Sequence, residues 1–506
     1  MKLSQILFPG EYTASANPQD IEFSHIVTHT SEISRGALFV CLRGTRYDSH
    51  TLVKLVEEGG AAAVIAEESA LLPIDISIPV FRVASTRRML AVLFGRYYGN
   101  PQNELCMIGV TGTNGKTSTA TILYSILRSA GYSCALIGTA ECLCNGAVYT
   151  LPEESRGRDR LRTMTTPDPD ILYPMLSMMQ KAGVTHVVME VSSHALALEK
   201  VAPIPFEIGI FTNLTPEHMD FHTDMHSYML AKAKLFSLCK TGIFNCDNKY
   251  AEAMIEHSAC RPLRTGVVQG GDYRATDVEL RGVMGAVYSF SAPGLRLRVR
   301  TALPGIFSVY NTLLALTAAV ELGIPPIAAA DALAAPVRIP GRMERVPTKN
   351  ADFSVFIDYA HTEHALRNLL TTVRSFQKEG ERIVLVFGCG GDRDREKRAP
   401  MGRTAEELAD FVIVTSDNPR TEDPDTIITD ILSGMMAEDK HTVIKNRKKA
   451  IEYAVATAKS GDIIILAGKG HEAYEITASG VREFDERKIL QSALEKRKKG
   501  DTVNEN

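Results

Sequence analysis

The chain has 506 residues, more than one hydrophobic core usually supports, so we expect about two to four domains. Its 56 lysine and arginine residues nearly balance 60 aspartate and glutamate residues, and the 45% hydrophobic content is that of an ordinary globular protein, with no nucleic-acid or membrane partner indicated. No apolar run reaches the ~18 residues that span a bilayer, and the first residues lack a signal-peptide pattern, so we expect a cytoplasmic protein.

Residues 1–103 predict a small N-terminal α/β domain. Three short β-rich segments, ALFVCLRG (37–44), AAAVIAEE (61–68) and IPVFRVA (78–84), alternate with stretches of helical character. Such alternation favours a sheet covered by helices.

Residues 104–337 predict a central α/β domain. Apolar β-rich runs, each followed by a turn and an amphipathic stretch, occur at CMIGVTG (106–112), VTHVVMEVSS (184–193) and FEIGIFTNL (206–214). Because strands that alternate with helices pair side by side in the same direction, this order predicts a mostly parallel sheet with helices on both faces.

Residues 338–506 predict a third, C-terminal domain with a Rossmann-like α/β fold. A stretch rich in proline and glycine interrupts the pattern near 335–347 and indicates a linker. The strand-helix order then restarts with ERIVLVFGCGG (381–391), ADFVIVTSDNP (409–419) and GDIIILAGKG (461–470). The sequence therefore predicts an α/β protein of three domains.

The turn between CMIGVT and the helix-forming residues after it predicts a variant phosphate loop. In the common pattern G-x-x-x-x-G-K-[ST] the first glycine lies five residues before the second, and Val110 occupies that place here. Strand, glycine-rich turn and helix N-terminus still provide backbone N–H groups for an anion, whereas a chance GKT in a solvated loop is the plainer alternative. The predicted nucleotide-binding residues are Gly112, Thr113, Asn114, Gly115, Lys116, Thr117 and Ser118.

Eight further segments distinguish between the protein families that use this loop. The form TGTNGKT resembles that of the Mur ligases and of their relatives, the folylpolyglutamate synthetases. The segments occur in the order typical of Mur ligases: MEVSSHAL (189–196), FTNLTPEHMDFH (211–222), YMLAKAKLF (228–236), LPGIFSVYN (303–311), GRMERV (341–346), DYAHT (358–362), SDNPR (416–420) and AGKGHEAYE (467–475). This resemblance covers nearly the whole chain and implies an enzyme that phosphorylates a carboxylate with ATP and lets an amine displace the phosphate.

By resemblance, five residues carry the chemistry. Lys116 and Thr117 would bind the ATP phosphates and Mg²⁺, and Glu190 and His218 would hold Mg²⁺ near the transferred phosphate. Lys232 matches a lysine that is carbamylated in this family, which would make it an oxygen ligand for a second Mg²⁺. From the residues alone, Glu190 could be a carboxylate near a helix N-terminus, and His218 an ordinary loop histidine.

Lys232 has a plainer alternative of its own. The segment YMLAKAKLF predicts a helix whose buried stripe runs through Tyr228, Ala231, Leu235 and Cys239, which would leave Lys232 on a solvated flank. Lys234 should be an ordinary lysine in either case.

Three residues are assigned to the nucleotide by resemblance. Asn311 would lie near the adenine, Arg342 on the phosphates and Asp358 at the ribose. An arginine in a Gly-Arg turn between domains could equally form an interdomain salt bridge, which is the alternative for Arg342.

The incoming amino acid is indicated by the segment DNPR. Pro419 shapes the turn after the strand ADFVIVTS, and Arg420 can grip a carboxylate with two parallel hydrogen bonds. Members of the family that add diaminopimelate carry this arginine, whereas those that add lysine usually lack it. The residues implied for the amino acid are Arg393, Asp417, Asn418, Pro419, Arg420, Gly468 and Glu472.

The match is looser for the second substrate, a UDP-MurNAc-dipeptide. The implied residues are Thr30, Thr165, Thr166, Ser192 and Lys200. Met164 stands where asparagine is usual, and Lys200 replaces an arginine. The segment His29-Thr30-Ser31 stands in place of Asp-Ser-Arg near the uridine.

The sequence thus predicts a ligase that uses ATP and Mg²⁺ to add meso-diaminopimelate to UDP-MurNAc-L-Ala-D-Glu in peptidoglycan synthesis. We expect this ligase to be a monomer. The alternatives are the same reaction with L-lysine, disfavoured by Arg420, and a folylpolyglutamate synthetase, disfavoured by the N-terminal domain and by DNPR. A nucleotide-dependent switch ATPase would leave DNPR and AGKGHE unexplained, and a silent binding protein would not need Lys116, Glu190, His218 and Lys232.

Overall fold

The computed structural model describes residues 1–14, 16–44, 47–149, 164–217, 219, 221–348 and 351–504. The chain divides into two compact units, the first formed by Met1–Gly112, Gly131–Phe244 and Lys249–Leu263, and the second by Thr113–Ala130, Asn245–Asn248 and Arg264–Asn506. The division into three domains at residues 103 and 337 stays a prediction.

The described residues form helices and strands in the alternating order of an α/β protein. The α-helices are α1 Val53–Glu58, α2 Thr86–Tyr97, α3 Lys116–Ser129, α4 Pro169–Lys181, α5 Ser193–Ala197, α6 Met225–Ala233, α7 Ala251–Glu256, α8 Ile306–Glu321, α9 Pro326–Ala334, α10 Glu363–Arg374, α11 Arg398–Leu408, α12 Pro424–Leu432, α13 Arg447–Ala456 and α14 Glu486–Asn504. Short 3₁₀ helices lie at Leu3–Gln5, Pro18–Asp20, Thr30–Glu32, Ser49–Leu52, Pro101–Asn103, Lys234–Ser237, Gly282–Met284 and Glu438–Lys440.

The strands are β1 Thr13–Ala14, β2 His25–Val27, β3 Ala37–Val40, β4 Ala63–Glu67, β5 Val80–Val83, β6 Cys106–Thr111, β7 Cys134–Ile137, β8 Cys142–Cys144, β9 Ala147–Val148, β10 His186–Glu190, β11 Phe206–Phe211, β12 Cys239–Asn245, β13 Arg261–Gly266, β14 Tyr273–Leu280, β15 Ala286–Ala292, β16 Leu295–Thr301, β17 Glu344–Val346, β18 Ser354–Asp358, β19 Ile383–Phe387, β20 Phe411–Val414, β21 His441–Val443, β22 Ile463–Ala467, β23 Tyr474–Thr477 and β24 Gly480–Glu483.

The first unit begins with a five-stranded sheet in the order β1-β5-β4-β3-β2. Strands β2 to β5 are parallel, and only β1 runs antiparallel. All four residues of β3 are buried, because both faces of a parallel strand are covered. The three strands predicted in residues 1–103 are confirmed as β3, β4 and β5.

A second sheet of the first unit aligns the ends of three strands. Its order runs β12-β11-β6-β10-β7-β8-β9, and β12 to β7 are parallel. Since β10, β6 and β11 are neighbours, Glu190, Thr111 and Phe211 end them at the same edge of the sheet. Loops that follow adjacent parallel strands lie together at such an edge, where α/β proteins bind ligands.

The second unit contains α3, an antiparallel meander of β14, β15 and β16, and a six-stranded sheet. The order of that sheet is β17-β18-β22-β19-β20-β21, and all pairs except β17 with β18 are parallel. Helices cover both faces: α10, α11 and α12 pack on one, α13 and α14 on the other. The predicted Rossmann-like α/β arrangement is confirmed for this part of the chain. Within the described ranges, no helix combines the length and apolar character that crossing a bilayer requires.

Candidate active site

The phosphate loop begins where β6 ends. Gly112 has φ 149°, and a β-carbon there would lie 1.9 Å from Thr212 Oγ1, so no larger residue fits. Val110, which stands in place of the first glycine of the common pattern, is a buried residue inside β6. The turn therefore starts two residues later than the common pattern requires, and Val110 needs no special backbone conformation.

The other half of the loop opens α3. Gly115 is the N-cap of this 14-residue helix, with φ 83° in the left-handed region, which glycine adopts readily. The Lys116 Nζ donates a hydrogen bond to the Thr113 carbonyl at 2.9 Å. A helix N-terminus with a lysine folded over its loop is suited to phosphate groups.

Glu190 lies at the end of β10 with its carboxylate held on both oxygens. Oε1 accepts a hydrogen bond from the Thr139 backbone N–H at 2.8 Å, and Oε2 accepts one from Thr139 Oγ1 at 3.1 Å. A β-carbon on Gly138 would come within 2.5 Å of Oε1. Glu190 is 1% exposed, so its carboxylate is buried at the end of β10.

Lys232 is buried, which contradicts the alternative that it is a solvated flank lysine. It lies on α6, is 1% exposed, and donates from Nζ to the Gly112 carbonyl at 2.8 Å. Its Nζ also lies 4.6 Å from the centre of the Tyr228 ring. Lys234 is exposed, as predicted. The helix ends at Ala233, earlier than the predicted stripe requires, and Cys239 already belongs to β12.

The residues implied for the muramoyl-dipeptide gather around Glu190. Thr166 Oγ1 donates to the Glu190 carbonyl at 2.9 Å and accepts from the Ser192 N–H at 3.0 Å. Thr165 Oγ1 lies 3.1 Å from Thr139 Oγ1, the hydroxyl that donates to Glu190. Hydroxyl groups from distant segments of the first unit thus surround Glu190, with Thr139 on its carboxylate and Thr166 on its backbone carbonyl. His218 lies outside the described residues.

A cavity of about 230 Å³ in the first unit includes the next implied residue, Lys200. Its Nζ lies 2.6 Å from Asp168 Oδ1, and both residues line the cavity together with His29 and Arg87. Thr30, at the start of a 3₁₀ helix, is not among the lining residues. The cavity therefore combines apolar walls with charged groups of both signs, cationic Arg87 and Lys200 and anionic Glu32, Asp168 and Asp170.

Asn311 and Arg342, two residues implied for ATP, contact threonines of α3 in the second unit. Thr119 Oγ1 donates to Asn311 Oδ1 at 3.2 Å. Arg342 Nη2 lies 3.5 Å from Thr117 Oγ1, and the guanidinium stacks over the Tyr359 ring at 4.7 Å. The Arg342 cation also interacts electrostatically with the buried Asp358 carboxylate and lowers its pKa against the larger effect of burial.

Asp358 anchors the turn that carries Arg342. Its Oδ2 accepts from the Met343 N–H at 2.7 Å and Oδ1 from the Ala360 N–H at 2.8 Å, while burial raises its pKa. Gly341 has φ 66°, and a β-carbon there would lie 2.2 Å from the backbone nitrogen of His471. Burial and then Arg342 lower the pKa of His471 to about 3, so this imidazole is neutral near pH 7.

Two neighbouring guanidinium groups, of Arg393 and Arg420, lie in the predicted amino-acid site. Arg420 has φ 54°, its N–H donates to the Ile476 carbonyl at 3.0 Å, and Nη1 donates to the Gly391 carbonyl at 2.8 Å. The described hydrogen bonds do not use its Nε or Nη2. Burial lowers the pKa of Arg420, and so does the neighbouring Arg393 cation. Two adjacent cations with free donors favour an anionic ligand group.

Carboxylates lie in the same predicted site, close enough to interact electrostatically with Arg420. Glu472 accepts from Asn418 Nδ2 at 2.8 Å and from the Tyr359 hydroxyl at 3.4 Å. Burial raises the pKa of Glu472, and the Asp417 carboxylate adds to the rise. Gly468 has φ 112°, and a β-carbon on it would lie 2.4 Å from Asp417 Oδ2. Glycine is therefore required for the Asp417 carboxylate to occupy its place.

Three residues that contact the predicted site were missed by the sequence reasoning. Thr139 holds Glu190, and Lys469 donates from Nζ to Asn418 Oδ1 at 2.9 Å. Arg447 lies 3.8 Å from Asp417. Lys469 lies inside the AGKGHEAYE segment and could have been found there, whereas Thr139 and Arg447 carry no sequence signal because their role depends on distant segments.

The α/β fold, with a glycine-rich turn between β6 and the N-terminus of α3, is that of a nucleotide-binding protein. The patterns of the Mur ligase middle domain and of the Mur ligase glutamate ligase domain match residues 110–319 and 341–470. The chain belongs to the Mur ligase family, whose members are ATP-dependent ligases that form amide bonds.

Relatives similar over the full length carry one name, UDP-N-acetylmuramoyl-L-alanyl-D-glutamate--2,6-diaminopimelate ligase. The protein from Syntrophomonas wolfei is 37% identical, with 98% of this chain and 99% of the relative covered. The one from Clostridium perfringens is 38% identical, with 98% and 100% covered.

Solved structures agree with this family. A structure of UDP-N-acetylmuramoyl-L-alanyl-D-glutamate--2,6-diaminopimelate ligase has a TM-score of 0.67 at 29% identity and covers 98% of this chain and 99% of its own. Folylpolyglutamate synthase from Mycobacterium tuberculosis, at 18% identity and a TM-score of 0.61, covers 75% of this chain and 92% of its own and shares the fold.

Proposed function

We propose that this protein joins meso-diaminopimelate to the D-glutamate of UDP-MurNAc-L-Ala-D-Glu with ATP, a step of peptidoglycan synthesis. The observation that carries the proposal is the charge distribution of the amino-acid site. The guanidinium groups of Arg393 and Arg420 match a far carboxylate, and the Glu472 carboxylate matches an ammonium group. Diaminopimelate has a carboxylate and an ammonium group at each end, whereas lysine has no carboxylate at its far end. The names of the full-length relatives support the same substrate.

The reaction follows from the chemistry of the ligase family. The γ-phosphoryl group moves from ATP to the D-glutamate carboxylate, which leaves ADP and an acyl phosphate. The amine nitrogen then bonds to the acyl carbon, the carbon–oxygen bond to phosphate breaks, and the amine loses a proton. Negative charge develops on phosphate oxygens in both steps, so cations are needed there. We assign this role to Lys116 and Arg342.

The nucleotide-binding residues fit ATP. The positive φ angles of Gly112 and Gly115 let the backbone approach phosphates, and α3 directs its N-terminus to the loop. We propose that Gly112, Thr113, Asn114, Gly115, Lys116, Thr117 and Ser118 bind the phosphates, and that Asn311 and Asp358 bind the adenosine part.

Mg²⁺ would neutralise the transferred phosphate. No group of three or more acidic, histidine or cysteine side chains that could hold a metal occurs among the described residues. Mg²⁺ at nucleotide sites usually keeps waters and phosphate oxygens and takes only one or two carboxylates, so it needs few donors from the protein. We propose Thr117, Glu190, His218 and Lys232 as the metal-binding set.

Carbamylation of Lys232 is part of the proposal. Carbon dioxide adds to the neutral amine, and the amine proton leaves, so that a cation becomes an anion with two oxygen donors. The burial of Lys232 beside the phosphate loop supports this role, because a lysine without a function there would be expected to keep its charged amine in water. Thr165, Thr166, Ser192 and Lys200 support a carboxylated sugar nucleotide as the second substrate.

Phosphate release with defined substrates tests the function. The full chain is given ATP, Mg²⁺ and UDP-MurNAc-L-Ala-D-Glu, with meso-diaminopimelate, L-lysine or no amino acid, and any product is identified by mass. Turnover only with meso-diaminopimelate is the expected result. Turnover with lysine keeps the ligase and refutes the role of Arg420, and phosphate release without a ligated product favours a switch ATPase. Size-exclusion chromatography of the same sample tests the predicted monomer.

A further inference from the structure

A fully buried arginine lies behind the amino-acid site. Arg447 is the first residue of α13, and its side chain is 0% exposed. Nε donates to Glu486 Oε1 at 2.7 Å, and Nη2 donates to the Ala467 carbonyl at 2.8 Å. Ala467 is the last residue of β22, directly before Gly468 in the predicted site.

The remaining nitrogen of Arg447 faces Asp417. Nη1 has no hydrogen-bond partner and lies 3.8 Å from Asp417 Oδ2. Asp417 is also 3.8 Å from Lys469 Nζ and rests against Gly468. The Asp417 carboxylate is thus flanked by two buried cations. Because an unpaired buried carboxylate is unfavourable, these cations determine where it lies.

We infer that Arg447 is a positioning residue for the amino-acid substrate, acting through Asp417 and the Ala467 carbonyl. This inference rests on the proposed function. One guanidinium contacts Asp417 in the turn after β20 and Ala467 at the end of β22. The turns that follow these two strands carry Asn418, Arg420 and Glu472. Without this guanidinium the turns can shift, and both charged ends of the amino acid lose their partners.

The competing explanation is that Arg447 only ties α13 to α14 through Glu486. The variant Arg447→Met/Glu486→Leu distinguishes the two explanations. Replacing a buried ion pair by apolar residues often preserves stability, whereas removal of one partner does not. A thermal melt of the full chain shows that the variant is folded. The control is Arg374→Met/Asp410→Leu, which removes an ion pair of the same second unit that has no contact with the site.

The KM for the amino acid is expected to rise about tenfold in the Arg447 variant, with the KM for ATP within about twofold of wild type and no such change in the control. In an Asp417→Asn background the same substitutions should add less than about twofold, because the effect passes through Asp417. Parallel changes in both KM values, or effects that multiply in that background, overturn the inference.

If the double variant does not melt cooperatively, Arg447→Lys takes its place. It keeps the charge but cannot reach Glu486, Ala467 and Asp417 together, so an unchanged KM for the amino acid overturns the inference and a selective rise supports it. Wild-type protein that ligates no amino acid refutes the proposed function, and the inference with it. Wild-type turnover with unaffected variants refutes the inference alone.

Discussion

Arg420→Ala should remove the preference for meso-diaminopimelate. Nη1 of Arg420 is engaged with the Gly391 carbonyl at 2.8 Å, which leaves Nε and Nη2 for the far carboxylate of the substrate. Charge-assisted hydrogen bonds contribute about 1.5–3 kcal/mol, so the loss of this fork should lower kcat/KM for meso-diaminopimelate about 10- to 150-fold, at ~1.4 kcal/mol for each tenfold. The backbone should tolerate the change, because alanine meets the same left-handed φ of 54° as arginine.

The assay is phosphate release at varied meso-diaminopimelate and at varied L-lysine. Lysine lacks the far carboxylate, so its kcat/KM should change little and the ratio of the two substrates should fall. The matched control is Arg395→Ala, because Arg395 is an exposed arginine of the adjacent loop, paired with Glu422 at 3.0 Å. An unchanged substrate ratio, or an equal loss in the control, would refute the assignment of Arg420 to the carboxylate.

Gly112→Ala should abolish ATP binding in a direct nucleotide-binding measurement, since its β-carbon would lie 1.9 Å from Thr212 Oγ1. The control Gly131→Ala also has a positive φ, 86°, but open space around it, so it should keep ATP binding and lose about 1–2 kcal/mol of stability. Lys232→Ala should lose activity and regain part of it with added short carboxylic acids, whereas Lys234→Ala should be active without them; full activity of Lys232→Ala would exclude the carbamate. The pKa of Glu472 is raised, so it should become protonated at a higher pH than an ordinary glutamate, and the KM for the amino acid should rise as the pH falls. Glu472→Gln should have a high KM that does not rise further at acidic pH. An identical pH profile of the KM in this variant and in wild type would contradict the role of Glu472 in binding the ammonium group.

The strands and the phosphate loop were predictable because their signals are local. The runs CMIGVT, HVVME and FEIGIF correspond to β6, β10 and β11, and the start of α3 at Lys116 follows from the turn before it. A buried parallel strand needs a continuous apolar run, and a tight loop needs glycine, so both are visible in a few consecutive residues.

The helix of Lys232 shows where local patterns fail. Helical periodicity predicted that this lysine lies on a solvated flank of the helix. Its exposed fraction is instead 1%, because the folded chain brings it to the Gly112 carbonyl, which is 120 residues away in sequence. Thr139 escaped notice for the same reason, since only the folded sheet brings it to Glu190.

By itself, the sequence determined the α/β class, the variant phosphate loop and the segments that identify the Mur ligase family, because periodicity, turn chemistry and short motifs are properties of neighbouring residues. Only the tertiary structure decided which groups support the predicted site: the hydroxyl of Thr139 on Glu190, the carbonyl of Gly112 on Lys232 and the guanidinium of Arg447 beside Asp417. Each of these contacts joins residues far apart in the chain, and their energy depends on burial and distance, which no local pattern contains.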